Sequence, residues 1–273
     1  GVATLGAQAF MLILSIGSIA ILARLLTPAD FGLVAMVTAL TGFLAMFKDP
    51  GLSMATVQQD EVTHEQVSNL FWANVSLSLF LTLAIAALAP VVAWFYDDSR
   101  LFSITLFIAA LFIFNGLAVQ HHALLRRQMR FGVLARIQIL ASSLALVSAI
   151  VAALMGAGYW ALLVQLAVSQ LSGTALTWIN CRWIPGRPKR GVGALPMLKF
   201  GGYLTGFSFV NYFPRNADNI LIGKAWGSIE LGLYAKAYAL LLLPLQQING
   251  PISAVAIPAL SRLQNDPEGF REF

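Results

Sequence analysis

The sequence predicts an all-α, polytopic membrane helix bundle, and three observations carry that prediction. The 273 residues are 58% hydrophobic and only 11% charged, against about a quarter charged in soluble globular domains. Mean hydropathy is +0.77, leaving too little polar surface to cover a water-soluble particle of 29.4 kDa. The apolar runs are continuous and rich in Leu, Ala and Ile, without the period-2 alternation of membrane β-barrel strands.

Crossing about 30 Å of hydrocarbon takes roughly 20 apolar helical residues. Segments of that kind lie near 2–23, 31–47, 67–94, 101–120, 134–154, 157–179, 201–223 and 231–249. The first is too long for a signal-peptide core and has no charged region before it. The second is short, and the last is interrupted by Pro244. Between the second and third, Leu52, Met54 and Val57 sit among Pro and Gly, which predicts a packed or re-entrant segment ahead of the hydrophilic stretch Asp60 to Gln66. Six spans precede the stretch Cys181 to Pro196, whose Pro, Gly and basic residues predict a linker. The organisation expected is therefore a six-helix lobe over 1–179, a basic linker over 180–197 and the start of a second lobe over 198–273. A Gly1 without Met and an abrupt end at Phe273 lead us to expect a fragment of a longer protein.

Charge asymmetry orients the bundle. The second, fourth and sixth loops carry ten Lys and Arg: Lys48, then Arg126, Arg127, Arg130 and Arg136, then Arg182, Arg187, Lys189, Arg190 and Lys199. The first and third carry Arg24 and Arg100, and the fifth none. The even loops and the N-terminus are expected to be cytoplasmic. In a membrane protein the net charge of +5 reports topology and anionic-lipid contact before it reports nucleic acid.

Chemistry is sparse. One cysteine, Cys181, excludes a disulfide framework or a multi-thiolate metal site within the chain, and there is no phosphate-binding glycine loop or metalloprotease helix. His121 and His122 are adjacent and point apart on a helix, at an expected interfacial position. The seventh span is the informative one, because a charged group within a span costs at least about 2.5 kcal/mol and normally faces a bundle interior or cavity. Arg215 and Asp218, at i and i+3, share a face; Asn211 extends that polar stripe by one turn, and Pro214 invites a kink beside it. Gln138 and Gln165 are weaker marks, each able to satisfy itself between helices. Gly116 and Gly173 are expected to admit close helix approach, and Trp72, Trp94, Tyr96, Trp160 and Trp178 to anchor span ends at the interface. These residues fit a transporter; a membrane enzyme is the other class. Cation export is disfavoured because the first six spans lack a clear membrane-centre carboxylate, and a loop-based enzyme is disfavoured by short connections.

Several motifs are familiar in combination. Leu22-Ala-Arg-Leu-Leu-Thr-Pro-Ala-Asp-Phe-Gly-Leu33, Asp49-Pro-Gly-Leu-Ser-Met-Ala-Thr-Val-Gln-Gln59, Leu70-Phe-Trp-Ala-Asn74, Gln128-Met-Arg-Phe131, Asn216-Ala-Asp-Asn-Ile-Leu-Ile-Gly223 and Leu231-Gly-Leu-Tyr234 resemble the polysaccharide flippases of the multidrug/oligosaccharidyl-lipid/polysaccharide superfamily. The likeness is to the lipopolysaccharide and exopolysaccharide exporter branch that includes colanic acid exporters. It implies a MATE-like architecture of two six-helix lobes in the bacterial inner membrane. It also implies transfer of undecaprenyl-diphosphate-linked oligosaccharide between leaflets by alternating access, with no cofactor and with coupling to H+ or Na+. Lipid-linked oligosaccharide, membrane lipids and polysaccharide polymerase or export machinery are the partners it implies. On this reading Arg215 supplies charge to a cationic cavity, Asp218 holds it, and Asn211, Gln138 and Gln165 meet sugar hydroxyls.

Overall fold

The computed structural model describes residues 2–45, 47, 52–58, 62–189, 212 and 216–242. Seven helices come first: α1 (Val2–Leu25), α2 (Pro28–Ala45), α3 (Leu52–Gln58), α4 (His64–Tyr96), α5 (Arg100–Arg127), α6 (Phe131–Leu154) and α7 (Trp160–Cys181). Helical stretches 216–226 and 228–242 follow, separated by Gly227. Five of these, α2, α4, α5, α6 and α7, are long and apolar enough to cross a membrane, and α1 adds the apolar run Ala9–Leu25. The chain is thus a multi-pass, all-α membrane protein, with large apolar side chains such as Phe80, Leu83, Val147 and Leu221 exposed on its outer faces as lipid requires.

The ends of the spans are set by local polar chemistry more than by hydropathy. At α2, Pro28 occupies the first turn, where its missing N–H costs nothing, and the Asp30 carboxylate accepts from the Thr27 N–H at 2.9 Å and hydroxyl at 2.7 Å. At α4 a capping box forms: Thr63 Oγ1 accepts from the Gln66 N–H, and Gln66 Oε1 accepts from the Thr63 N–H. Asp97, left-handed at φ 58°, closes the other end of α4, and Asp98 accepts from the Arg100 N–H to start α5. The Arg100 guanidinium, hydrogen-bonded to Asp98, holds that carboxyl below the usual carboxylate range. Such caps let α4 and α5 run beyond the apolar stretches predicted at 67–94 and 101–120.

Helices α4 and α5, and α6 and α7, pack on each other as sequential neighbours joined by short turns, while α7 also packs on α5 and α6 on α1. At the α4–α5 crossing a Cβ on Gly116 would overlap the Ser78 hydroxyl and lie 2.9 Å from the Asn74 carbonyl oxygen, so the expected close approach holds there. Helix α6 buries Ala141, Ala145, Ala149 and Ala153, a stripe of small residues at every fourth position. The expected packed segment after the second span is α3, with Leu52 and Thr56 buried and Thr56 Oγ1 donating to Gln120 Oε1 at 2.7 Å.

Residues 182–189 pack down as an extended strap on the first turns of α4. Gly186 N–H donates to Ser68 Oγ at 2.9 Å, Trp72 Nε1 donates to the Gly186 carbonyl at 2.8 Å, and Asn69 bonds the Lys189 backbone in both directions. Lys189 pairs with Glu65. Two expectations change here. His121 is not interfacial but fully buried, stacked on Trp178 at 4.2 Å between ring centroids and hydrogen-bonded to the Trp183 carbonyl. Trp178, in turn, is a packing element of this cluster, its Nε1 donating to the Leu117 carbonyl.

The later helices are part of the same core. Leu231 is fully buried among Leu33, Met36, Val92, Tyr96, Leu101 and Leu163, and the Tyr212 hydroxyl donates to the Ala39 carbonyl at 2.9 Å. The contact is reciprocal. A Cβ on Gly32 would overlap the Ser228 carbonyl, and a Cβ on Gly232 would overlap the Pro28 carbonyl. Asp30-Phe31-Gly32-Leu33 and Glu230-Leu231-Gly232-Leu233 are the same pattern, so residue i of one copy meets residue j of the other and the converse, as in an isologous interface. In place of the expected loop over 224–230, the connection is Gly227 alone, at φ 91°, a conformation open to glycine.

Candidate functional site

Helices α3, α5, α6 and α7 enclose a polar cavity of about 410 Å³ in an otherwise apolar bundle. Its wall includes Asn115, His122 and Arg126 from α5, Gln138 from α6, and Gln170 and Thr174 from α7. The spacing explains the arrangement: Asn115, His122 and Arg126 recur at seven and four residues, one face of α5, and Gln170 and Thr174 are one turn apart on α7. His122 therefore points into the cavity while His121 points into the aromatic cluster. His122 Nε2 sits 3.2 Å from the Thr177 hydroxyl, which fixes the ring at the wall. Arg126 is exposed and in no ion pair among the described residues, so its guanidinium donors are available to an anion entering the cavity.

Further cavities adjoin. One of about 290 Å³ shares Asn115 and Gln170 with the first and adds Thr38 and Thr41 of α2. The next, of about 260 Å³, shares Thr38 and Leu166 with it and is closed by Phe31, Gln165, Ala235 and Lys236. Among the described residues there is no cluster of His, Cys, Asp and Glu able to hold a metal ion.

The sequence-predicted residues fall in different places. Gln138 lines the 410 Å³ cavity. Gln165 lines the 260 Å³ cavity, and its Nε2 donates to Ser18 Oγ of α1 at 3.1 Å. Asp218 is partly buried, and its carboxylate accepts from the Tyr234 hydroxyl of the following stretch and from the Asn219 N–H. Arg215 and Asn211 lie outside the described residues, as does Pro214. Three wall residues were not singled out: Arg126, read only as a topological charge, Asn115, and Lys236. The signal for Lys236 was in the sequence, because it is a cation inside the predicted span 231–249, subject to the same cost argument as Arg215.

Comparison with known proteins places these features in a family. The family described as polysaccharide biosynthesis protein matches residues 21–273. The teichuronic acid biosynthesis protein TuaB of Bacillus subtilis is 29% identical over 262 residues, 95% of this chain and 54% of the relative. The succinoglycan biosynthesis transport protein ExoT of Rhizobium meliloti is 28% identical over 92% of the chain and 51% of its own length. The lipopolysaccharide biosynthesis protein WzxC of Escherichia coli is 23% identical over 97% and 55%. No solved structure matches significantly. The chain spans about half the length of the curated relatives it matches. It belongs to the polysaccharide biosynthesis protein family.

Proposed function

We propose that this member of the polysaccharide biosynthesis family carries the first lobe, and the start of the second, of a flippase. Its cargo is an undecaprenyl-diphosphate-linked oligosaccharide, moved from the cytoplasmic to the periplasmic leaflet of a bacterial inner membrane by alternating access, for surface polysaccharide synthesis. The observation that carries this reading is the 410 Å³ cavity, walled by amides, hydroxyls, His122 and the Arg126 guanidinium, in a bundle whose outer faces are apolar. A sugar-diphosphate headgroup needs hydrogen-bond partners and positive charge along its route, while its polyprenyl tail stays in lipid. In the orientation proposed, which the excess of Lys and Arg in the even loops supports, the Arg126 end faces the cytoplasm, where the substrate is made.

On this reading residues 1–179 form the first lobe, 180–197 the linker and 198–273 the beginning of the second. Arg215, Asp218, Asn211, Gln138 and Gln165 line the pathway, with Asp218 a candidate for H+ or Na+ exchange. The protein is not an enzyme; it serves the polymerase and export machinery. Relatives named as a succinoglycan biosynthesis transport protein and as teichuronic acid and lipopolysaccharide biosynthesis proteins support the flippase reading. The test is complementation: the full gene product is expressed in a strain lacking its polysaccharide exporter, beside Arg215→Gln at matched membrane abundance. Surface glycan restored by the parent and not by the variant is the expected result; failure of the parent with several repeat-unit chemistries, despite correct insertion, overturns the proposal.

A further inference from the structure

The contact between α4 and α5 buries polar groups that the protein itself leaves without partners. Asn74, Ser78 and Gln120 are each 0% exposed. Both ends of the Asn74 amide, the Ser78 hydroxyl and Gln120 Nε2 have no hydrogen-bond partner among the described residues. A buried polar atom left so carries the full cost of its lost hydration, and surrounding lipid offers it no relief. Turning the Gln120 amide over only moves the shortfall to its other end, and Asn74 lacks partners at both ends, so neither assignment removes it.

The register of the two helices brings these groups to one level. A Cβ on Gly116 would lie 2.4 Å from Ser78 Oγ, and the Phe71 ring is 5.9 Å from His121. Residue numbers rise along α4 as they fall along α5, so the pair is antiparallel. Asn74, one turn before Ser78, therefore stands level with Gln120, one turn after Gly116. The two amides face one another across the contact and make no direct hydrogen bond, which is the arrangement a bridging water completes.

The chemistry of the groups selects that ligand. Asn74 Nδ2 and Gln120 Nε2 only donate, which is wrong for a metal cation, while Asn74 Oδ1 only accepts, which is wrong for an anion. A water molecule donates and accepts at once and takes about two to four polar partners; two amides and a hydroxyl supply them. On its other side Gln120 Oε1 accepts from the Thr56 hydroxyl of α3 at 2.7 Å, and α3 carries Ser53 to the wall of the 410 Å³ cavity.

We infer that the α4–α5 contact holds an ordered internal water, bound between Asn74 and Gln120 with Ser78 as a further partner, and that this water ties α3 to α4 across α5. The inference does not depend on the flippase reading. Asn74, water, Gln120 and Thr56 form a polar relay from α4 to α3. Helix α4 gives the 410 Å³ cavity no wall residue among those described, yet through the relay it positions a segment that does.

The test is an experimental structure of the full gene product in lipid nanodiscs, at a resolution that shows ordered water. Density is expected within about 2.7–3.2 Å of both side-chain amides. No density between them, or a direct bond from one amide to the other, overturns the inference without recourse to any variant. Thermal unfolding and hydrogen exchange add a second reading. Asn74→Leu and Gln120→Leu are each expected to lower the unfolding midpoint by about 2–4 °C, because each strands the opposite amide. The double variant is expected to fall by less than the sum; a strictly additive drop means that the two share no ligand and overturns the site. Asn74→Leu is also expected to speed exchange of the α3 amides about fivefold while that of α6 stays constant. Unchanged α3 exchange in Asn74→Leu overturns the relay to α3.

Discussion

The crossing of α2 with the later helices and the cavity beside it are built from the same segments and have different interiors. At the crossing, Gly32 and Gly232 bring backbone against backbone, with no room for a methyl group on either side. A few residues further along the same helices, Thr38 and Lys236 open into a cavity of about 260 Å³ whose wall mixes them and Gln165 with apolar Phe31, Val34 and Leu162. The difference teaches that close packing and polar space are alternatives chosen residue by residue on one helix face. A contact held by glycine contributes little side-chain burial of its own and depends on shape alone. In the proposed transport cycle, such a contact is suited to parting and re-forming, while the 410 Å³ cavity accommodates cargo.

The comparison breaks most sharply at the glycines. Gly32→Leu or Gly232→Leu in the full gene product is expected to destabilise by about 3 kcal/mol or more, because the obstructing atoms are backbone and cannot rotate away; thermal unfolding of the purified protein measures it. Gly17, with nothing within 4 Å of its Cβ position, is the control: Gly17→Ala is expected to be neutral or to stabilise by up to about 1 kcal/mol. A Gly32→Leu protein with parental thermal stability would show that the crossing does not hold the two helix groups together.

The strap gives the next effect. Trp183→Ala removes the ring from the His121 and Phe71 cluster and the Nε1 donor to His64 Nδ1. It is expected to cost about 2 kcal/mol and to raise protease cleavage within 182–189 severalfold, while cleavage at the turn around Gly156 and Gly158 stays constant. Equal acceleration at both places would mean that the cluster supports the whole bundle instead of the strap. Gln120→Leu leaves the buried Thr56 hydroxyl with the 3.3 Å bond to the Leu52 carbonyl and is expected to cost about 1 kcal/mol, read as earlier exchange of the α3 amides.

The smallest effect is at the polar turn between α4 and α5. Asp98 has its pKa depressed in the folded protein, chiefly by its hydrogen bond from the Arg100 side chain. Its contribution is therefore present above the unfolded carboxyl pKa near 3.9 and is lost as pH falls through the lower folded value. The pair is largely solvated, so Asp98→Asn is expected to cost only about 0.5 kcal/mol at neutral pH. That difference should vanish in acid; a difference that persists there would assign the effect to the cap geometry and not to charge.

The sequence by itself determined the membrane class, the number and order of the first six long helices and the packed character of α3, because burial in lipid imposes continuous apolar length that one strand of text displays. It also displayed Gln138 and Gln165, whose polarity is conspicuous on apolar helices and which line cavities, and the motifs around Gly32 and Gly223. It did not display what depends on distant residues meeting. His121 and Trp178 look interfacial because they sit near span ends; only residues 182–189, more than 60 positions beyond His121, bury one and stack the other against it. Arg126 looks like a topological charge until α6 and α7 wall off a cavity beside it. Lys236 was visible as a charge but not as a cavity-wall residue, since its neighbours Phe31, Thr38 and Gln165 come from α2 and α7. Hydropathy is a property of each residue and its chain neighbours, whereas cavities and crossings are properties of pairs. Only the tertiary structure decided which glycine became a contact and which polar residue became a wall.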